Sequence, residues 1–308
     1  MPAREDYRKA AMNPANFGLP LLQRLRPARN PETGEPLEWP GAFGTVLRME
    51  SANGEPRALK CFTSPYPIRS ERYEILGDYL DSLFSRGCPS VPFLTESFYA
   101  TQGIRLGHKW YPVLLMDWVE GEPLNAAVQA VLETENPVGA LTGLARRWAE
   151  LVRALRADRL VHGDLQHGNI LVMSGGELKL IDYDGMCVPS LIGRFVLEGG
   201  HPNYQHPKRT QKYSERLDEF SALVILAGLL ALVERPELWE KYNIRRNILF
   251  HQADFTSPDS SPLFNELEAL PDSPARTAVS HLRNACYASN PDTIPDLLPL
   301  LNSLSLLS

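Results

Sequence analysis

The sequence has no paired cysteines. Cys61, Cys88, Cys187 and Cys286 lie far apart and form no CxxC, which argues against a zinc site or a disulfide framework and fits reduced thiols. It also lacks a massed basic face. The net charge is −6 and the Lys and Arg residues are scattered. The locally basic stretches Arg24–Arg29, Arg146–Arg156 and Lys208–Lys212 read as solvated faces or loops, so nucleic acid is not an expected partner. The opening MPAREDYRKAA has no apolar core of the signal-peptide kind. The most apolar run, ALVILAGLLALV (222–233), is too short to span a bilayer and reads as a buried helix. A cytoplasmic chain with no membrane partner is the expectation.

What the sequence does have is enough apolar material for a core. At 308 residues, 44% hydrophobic and 22% charged, it reads as an ordinary globular protein with room for two lobes. Residues 1–36, rich in Pro, Asn and Arg, read as an extension with one short helix over Arg4–Met12. Phe43–Met49 and Arg57–Phe62 flank the turn signal Asn53-Gly54 and predict a hairpin. Apolar residues at 73, 76, 80, 83 and 84 predict a helix over Ser70–Phe84. Two more strands joined by a glycine turn fit 91–119. After Gly121 the pattern turns helical. A helix is predicted over Leu141–Arg156, and the runs ILVM (170–173) and LKLI (178–181) flank Ser174-Gly175-Gly176 as a second hairpin. A loop, the apolar helix after Asp218 and a helical tail complete the chain.

The stretch VHGDLQHGNILV (161–172) crowds His162, Asp164, His167 and Asn169 between apolar pairs. The histidines are five apart, which suits neither the i, i+4 helix pair nor the HxH strand pair of a metal site. A carboxylate and an amide suit magnesium and phosphate chemistry better. H-x-D-L-x-x-x-N is the catalytic-loop pattern of protein kinases, and further parts follow in the family's order. WPGAFGTV (39–46) resembles the glycine-rich loop with Trp39 in place of its first glycine, RALK (57–60) resembles V-A-I-K, and KLIDYDG (179–185) resembles the D-F-G segment. GHPNYQHPK (200–208), ERLDEFSALVILAGLL (215–230) and CYASNPDTIPDLLPLL (286–301) resemble the family's later landmarks. Over about residues 37–301 the chain therefore resembles the protein kinase family, and its HGD loop resembles that of bacterial Ser/Thr protein kinase-like proteins.

The resemblance implies an α+β, two-lobed protein kinase-like fold. After the extension at 1–36, a β-rich N-lobe with one main helix would occupy 37–119 and a larger helical C-lobe 120–308. Asp164 would act on the substrate hydroxyl and Lys60 would grip the ATP phosphates, while Asn169 and Asp182 would hold Mg2+, with Mn2+ as an alternative. Gly41, Phe43 and Gly44 would cover the phosphates. Val46, Ala58 and Leu171 would enclose the adenine, Met116 would be the gatekeeper, and backbone groups of Asp117 and Val119 would bond the base. Of the three carboxylates Glu71, Glu74 and Asp78 on one helix, Glu74 would pair with Lys60. Asp218 would hold the catalytic loop.

The implied function is ATP/Mg-dependent phosphotransfer, as a Ser/Thr protein kinase acting on a protein substrate or signalling partner. Two rivals stay open. HGDLQHGN and Gln166 also fit an aminoglycoside-type small-molecule phosphotransferase, while Trp39, Gln166 and Lys208 fit a nucleotide-binding pseudokinase scaffold. Against the family pattern, Gly163 stands for an arginine, Gln166 for a lysine, Asp184 for the glycine of D-F-G, Lys208 for a glutamate and Ile294 for an arginine. The last two form a buried ion pair in the family, and breaking one partner alone would cost roughly 3–5 kcal/mol. Replacing both avoids that cost. GMCVPSLIGRFVLEGG (185–200) carries one hydroxyl residue, Ser190, with Tyr183 just before it, which together with Gly163 points to a kinase that is constitutively ordered or regulated otherwise.

Overall fold

A computed structural model of the chain describes residues 1–41, 43–65, 69–197 and 199–307. Ala42 of the glycine-rich stretch and Glu198 of the loop after Asp182 lie outside the described residues. Two compact units emerge, one from residues 1–82 and 95–119, the other from 83–94 and 120–308.

Alternating apolar residues and left-handed turn glycines build the first unit. Its strands are β1 (Arg26–Pro27), β2 (Glu38–Pro40), β3 (Gly44–Glu50), β4 (Pro56–Phe62), β5 (Ser97–Leu106) and β6 (Lys109–Asp117). They form an antiparallel sheet in the order β1-β3-β4-β6-β5, with β2 also paired to β3. The β3–β4 and β5–β6 connections turn through Gly54 (φ +80°) and Gly107 (φ +60°), which a side chain would strain. Val46 lies opposite Lys60 and Lys60 opposite Leu114, while Ala58 lies opposite Met116. Because side chains alternate along a strand, Val46, Ala58, Lys60 and Met116 share one face of the sheet.

The other face carries Leu47, Leu59, Cys61 and Leu115, and the chain's own beginning covers it. Tyr7 of α1 (Arg4–Ala11), Phe17, Leu22 of α2 (Pro20–Gln23) and Leu25 join those residues in one buried cluster. Each fully buried large apolar side chain of this kind contributes roughly 1.5–3 kcal/mol. The Tyr7 hydroxyl donates to the Phe62 carbonyl at 2.8 Å, deep in the cluster. Residues 1–36, set apart by sequence as an extension, thus supply core to this unit.

Helix α3 (Arg69–Arg86) buries Tyr73, Leu76 and Leu80 at the spacing the sequence shows. Tyr73 stacks on Tyr99 with ring centroids 4.8 Å apart. The Arg69 guanidinium lies 4.1 Å from the Phe62 ring centroid, a cation–π contact.

The second unit contains a small antiparallel sheet of β7 (Glu122–Pro123), β8 (Ile170–Val172) and β9 (Leu178–Leu180). Its helices are α4 (Leu124–Leu132), α5 (Pro137–Ala157), α6 (Glu219–Glu234), α7 (Leu238–Tyr242), α8 (Gln252–Thr256), α9 (Pro262–Glu268), α10 (Pro274–Cys286) and α11 (Leu297–Ser303). Helix α6 is buried on every side from Glu219 to Leu232, as a helix that is apolar all round from Ala222 onward must be at the centre of a unit. Helices α5 and α10 pack on it, and the buried Trp148 indole donates to the Ala222 carbonyl at 3.0 Å. Among the described residues no helix is long and apolar enough to cross a membrane. The architecture is α+β, with a sheet-built unit and a larger helical one, the kinase-like division that the sequence implies.

Candidate active site

The sequence-predicted residues fall in both units. In the first, Lys60 is 6% exposed on the sheet face that it shares with Val46, Ala58 and Met116. The β2–β3 turn holds the glycine-rich stretch, and the Gly41 amide donates to the Gly44 carbonyl at 2.8 Å. Only one of its two glycines is needed for close packing. A Cβ on Gly44 would stand 2.4 Å from the Cys61 carbonyl oxygen, whereas one on Gly41 meets nothing closer than 3.5 Å. Phe43 is partly exposed beside the turn. Trp39, in place of the family's first glycine, packs on Trp118 with ring centroids 4.9 Å apart. The Asp117 amide is engaged by the Glu96 carbonyl at 3.1 Å, so it is not the group that would bond a base. Val119 ends the unit, half-buried.

Glu71, Glu74 and Asp78 are exposed on α3, whereas Lys60 is buried. The buried side of the helix carries Arg72 and Tyr73.

In the second unit the opening motif becomes a pinned loop. Asp218, at the start of α6, accepts from the His162 amide at 2.5 Å and the Gly163 amide at 2.9 Å. Charge-assisted bonds of this kind are the strong ones, and they fix the two residues before Asp164. The buried His162 ring bridges the loop to the segment after β9. Its Nε2 lies 3.0 Å from the Ile181 carbonyl, and its Nδ1 accepts from the Asp164 amide at 3.4 Å. A carbonyl can only accept, so the proton sits on Nε2. The histidine is scaffolding rather than a ligand.

Gly163 has φ +80°. A Cβ there would stand 2.2 Å from the Gly185 carbonyl oxygen, so the family's arginine cannot be accommodated in this backbone. Its carbonyl instead accepts from Arg209 Nη2 at 2.6 Å. Gln166, where a lysine is usual, turns back and accepts from the Gly168 amide at 2.7 Å, capping the short turn His167–Asn169.

Both carboxylate oxygens of Asp164 are held. Oδ1 accepts from the His201 amide at 2.7 Å, and Oδ2 accepts from Asn169 Nδ2 at 3.1 Å. Asn169 Nδ2 also donates to the Asp164 carbonyl at 2.9 Å. Since both partners can only accept, the Asn169 amide has one orientation, with Oδ1 on its far side. Burial pushes the Asp164 carboxyl up, the Asp182 carboxylate adds to this, and the His201 amide opposes it.

The β8–β9 hairpin then brings the chain back. The Ile181 amide donates to the Asn169 carbonyl at 3.0 Å, and Asp182 follows with φ +64°. A non-glycine residue in that region is uncommon, and such strain concentrates at functional sites. Leu171 pairs with Lys179 across the hairpin and with Pro123 of β7. Asp184, in place of the glycine of D-F-G, is 6% exposed. Cys187 and Tyr183 are fully buried, whereas Ser190 is exposed. Lys208 is exposed and Ile294 buried, consistent with the joint loss of an ion pair.

Sequence reasoning missed the neighbours that the 200–209 segment supplies. His201, Tyr204 and His167 cluster with each pair of ring centroids 5.5 Å apart, and the His167 ring meets the Tyr204 hydroxyl at 2.9 Å. Burial holds His167 down to about 4 and also lowers His201. Arg209 bonds both Gly163 and the Gln205 amide oxygen. The only signal was the match of GHPNYQHPK to a family segment, which assigns none of these contacts.

Among the described residues no group of three or more His, Cys, Asp and Glu converges on a metal ion. Magnesium rarely needs such a cage. It is held by one or two carboxylates together with substrate phosphates and water, and the Asn169 amide oxygen and the Asp182 carboxylate are hard oxygen donors of that kind.

No family model matches the chain. It is 28% identical over 263 residues to Calcium-dependent protein kinase 9 of Oryza sativa subsp. japonica, covering 83% of this chain and 44% of that protein. It is 24% identical over 250 residues to Probable serine/threonine-protein kinase mkcB of Dictyostelium discoideum, covering 78% and 32%. It is 22% identical over 242 residues to Probable serine/threonine-protein kinase mkcE of the same organism, covering 74% and 32%. The chain spans less than half the length of these curated relatives. The similarities support a protein kinase-like superfamily.

Proposed function

We propose that the chain is an ATP- and Mg2+-dependent phosphotransferase of the Ser/Thr protein kinase type, acting on a hydroxyl of a protein substrate. The observation that carries this reading is Asp164. Its two oxygens are each held by a donor, in a loop that the Asp218 carboxylate pins through two amides. A carboxylate so fixed, with its proton affinity raised by burial, is suited to orient an attacking hydroxyl and take its proton.

Asn169 Oδ1 and the Asp182 carboxylate would hold the magnesium, which when bound neutralises phosphate charge. Lys60 would grip the ATP phosphates, and Val46, Ala58, Met116 and Leu171 would enclose the base. Gly41, Phe43 and Gly44 would cover the phosphates, with the Asp117 carbonyl and the Val119 backbone at the base edge. Most of the rate enhancement would come from positioning and fixed charge. Gln166, spent on its own turn, supplies no cation to the transferring phosphate. Slower chemistry than in lysine-bearing kinases follows. Gly163 removes the arginine through which a phosphorylated loop acts in the family, and Arg209 binds the same loop without modification.

The test is label transfer from γ-labelled ATP to a basic protein, a sugar and an aminoglycoside. Magnesium-dependent label on the protein, absent in Asp182→Ala, is expected. Label on the small molecules alone would establish a small-molecule phosphotransferase. No label, alongside nucleotide-induced thermal stabilisation, would establish a scaffold.

A further inference from the structure

Two indoles stand on the sheet face that carries Val46, Ala58, Lys60 and Met116. Trp39 lies opposite Val46 in the β2–β3 ladder, and residues directly opposite in an antiparallel pair point to the same side. Trp118 follows Met116 by two residues. The Arg48 guanidinium, 5.1 Å from the Trp118 ring centroid, places that indole on the same side, because Arg48 lies opposite Ala58.

Their contact spans the sheet. Strands β3 and β4 lie between β2 and β6, so about three strand spacings of roughly 4.8 Å each separate the two backbones. The ring centroids are nevertheless 4.9 Å apart, tilted at 52°. The indoles therefore meet over β3 and β4, near Arg48 and Ala58, where the proposed nucleotide site needs room for a base.

The pair is not locked. The Trp39 backbone is fixed, since it pairs in the ladder and its carbonyl accepts from the buried Thr45 hydroxyl at 3.3 Å. Trp39 is 46% exposed, so its indole can turn about its own side-chain torsions without any strand moving. The closed contact gains ring packing but leaves Trp118 Nε1 buried with no acceptor among the described residues. A buried unpaired donor costs about as much as such a ring contact gains, so the closed and open forms lie close in free energy.

Resting on the reading that this face receives the base, we propose that the Trp39–Trp118 pair is a gate on nucleotide entry, closed in this structure and opened by rotation of the Trp39 indole. Opening uncovers the face and lets water reach Trp118 Nε1. Only the open fraction binds, so association is slowed in proportion to the closed population, whereas dissociation of a bound nucleotide is not. The gate thereby raises the ATP concentration needed to fill the site.

Stopped-flow binding of ATP bearing a methylanthraniloyl fluorophore, with magnesium, gives both rates, and calorimetric titration with unlabelled ATP gives the affinity. Trp39→Ala and Trp118→Ala should each bind on the order of tenfold faster than the wild type at an unchanged dissociation rate, the figure for a gate closed about nine-tenths of the time. The double variant should be no faster than either, because the pair is one device. Trp39→Ala removes a half-exposed side chain and keeps the core, so it reads the gate even where Trp118→Ala fails to fold. Unchanged or slower association in Trp39→Ala, or tighter binding carried by dissociation alone, would overturn the gate while leaving nucleotide binding intact. No binding by either the wild type or Trp39→Ala would instead sink the nucleotide-site reading beneath it.

Discussion

Replacing Gly163 with alanine isolates the reason for the glycine in HGD. At φ +80° a non-glycine residue costs roughly 1–2 kcal/mol. The added Cβ would also stand 2.2 Å from the Gly185 carbonyl oxygen and 2.9 Å from its carbon. Those are backbone atoms, so two segments must part, at a further cost of roughly 1–3 kcal/mol. Moving Gly163 also weakens its amide bond to Asp218, worth roughly 1.5–3 kcal/mol for a charged acceptor. The total is on the order of 5 kcal/mol, a fall in Tm of on the order of 10 °C for a unit of this size. Gly193 is the internal control. Its φ is +83° but a Cβ there meets nothing within 4 Å, so Gly193→Ala should show the conformational cost alone. Scanning calorimetry of both variants, with label transfer measured in parallel, gives the comparison. If Gly163→Ala melts no lower than Gly193→Ala, the claim that this backbone excludes the family's arginine is wrong.

Asp218→Asn can accept with one side-chain oxygen while its NH2 group confronts the second loop amide. A loss of roughly 3 kcal/mol or more in urea unfolding is expected, with transfer falling even where the protein remains folded. Tyr7→Phe leaves the buried Phe62 carbonyl without its donor and should cost roughly 1–3 kcal/mol; an unchanged urea midpoint would show that residues 1–36 do not brace β4. His167 has its folded pKa lowered to about 4, against about 6.5 when unfolded. The neutral ring is the folded form, so its share of stability is complete above pH 6.5 and is lost as pH falls from 6.5 towards 4. His167→Gln should flatten that limb of a Tm–pH profile. Cys61, Cys187 and Cys286 are buried and Cys88 is half-buried, with burial pushing the Cys286 thiol up to about 12. A thiol reagent should therefore modify one cysteine before denaturant is added, and rapid labelling of Cys187 would contradict its burial.

The features legible in the sequence are those written in local chemistry. Asn53-Gly54 and Ser174-Gly175-Gly176 announce the two hairpins, and the all-apolar run after Asp218 announces a buried helix. The order of motifs placed Asp218 against the catalytic loop before any contact was seen. What escaped depends on backbone angles and on distant partners. Gly163 reads as a missing arginine, although its φ makes it a requirement. The short helix of 1–36 is legible, and its Tyr7, Ala10 and Ala11 fall at helical spacing, but Phe17, Leu22 and Leu25 lie among prolines and arginines without a period, so their place in the core of the first unit has no local signature. The apolar spacing at 73, 76 and 80 announces the buried side of α3. The bond from Arg209 to the Gly163 carbonyl carries no local pattern, because its partner lies 46 residues upstream.

The central claim is that Asp164, held by Asn169 and His201, is the group on which phosphotransfer turns. Asp164→Asn keeps the size and an acceptor oxygen but removes the base. Initial rates of label transfer to a basic protein, measured beside nucleotide-induced thermal stabilisation, test it most directly. The account predicts that the variant still gains stability with ATP and magnesium while its transfer rate falls by roughly a hundredfold or more. Transfer at the wild-type rate by Asp164→Asn would contradict it.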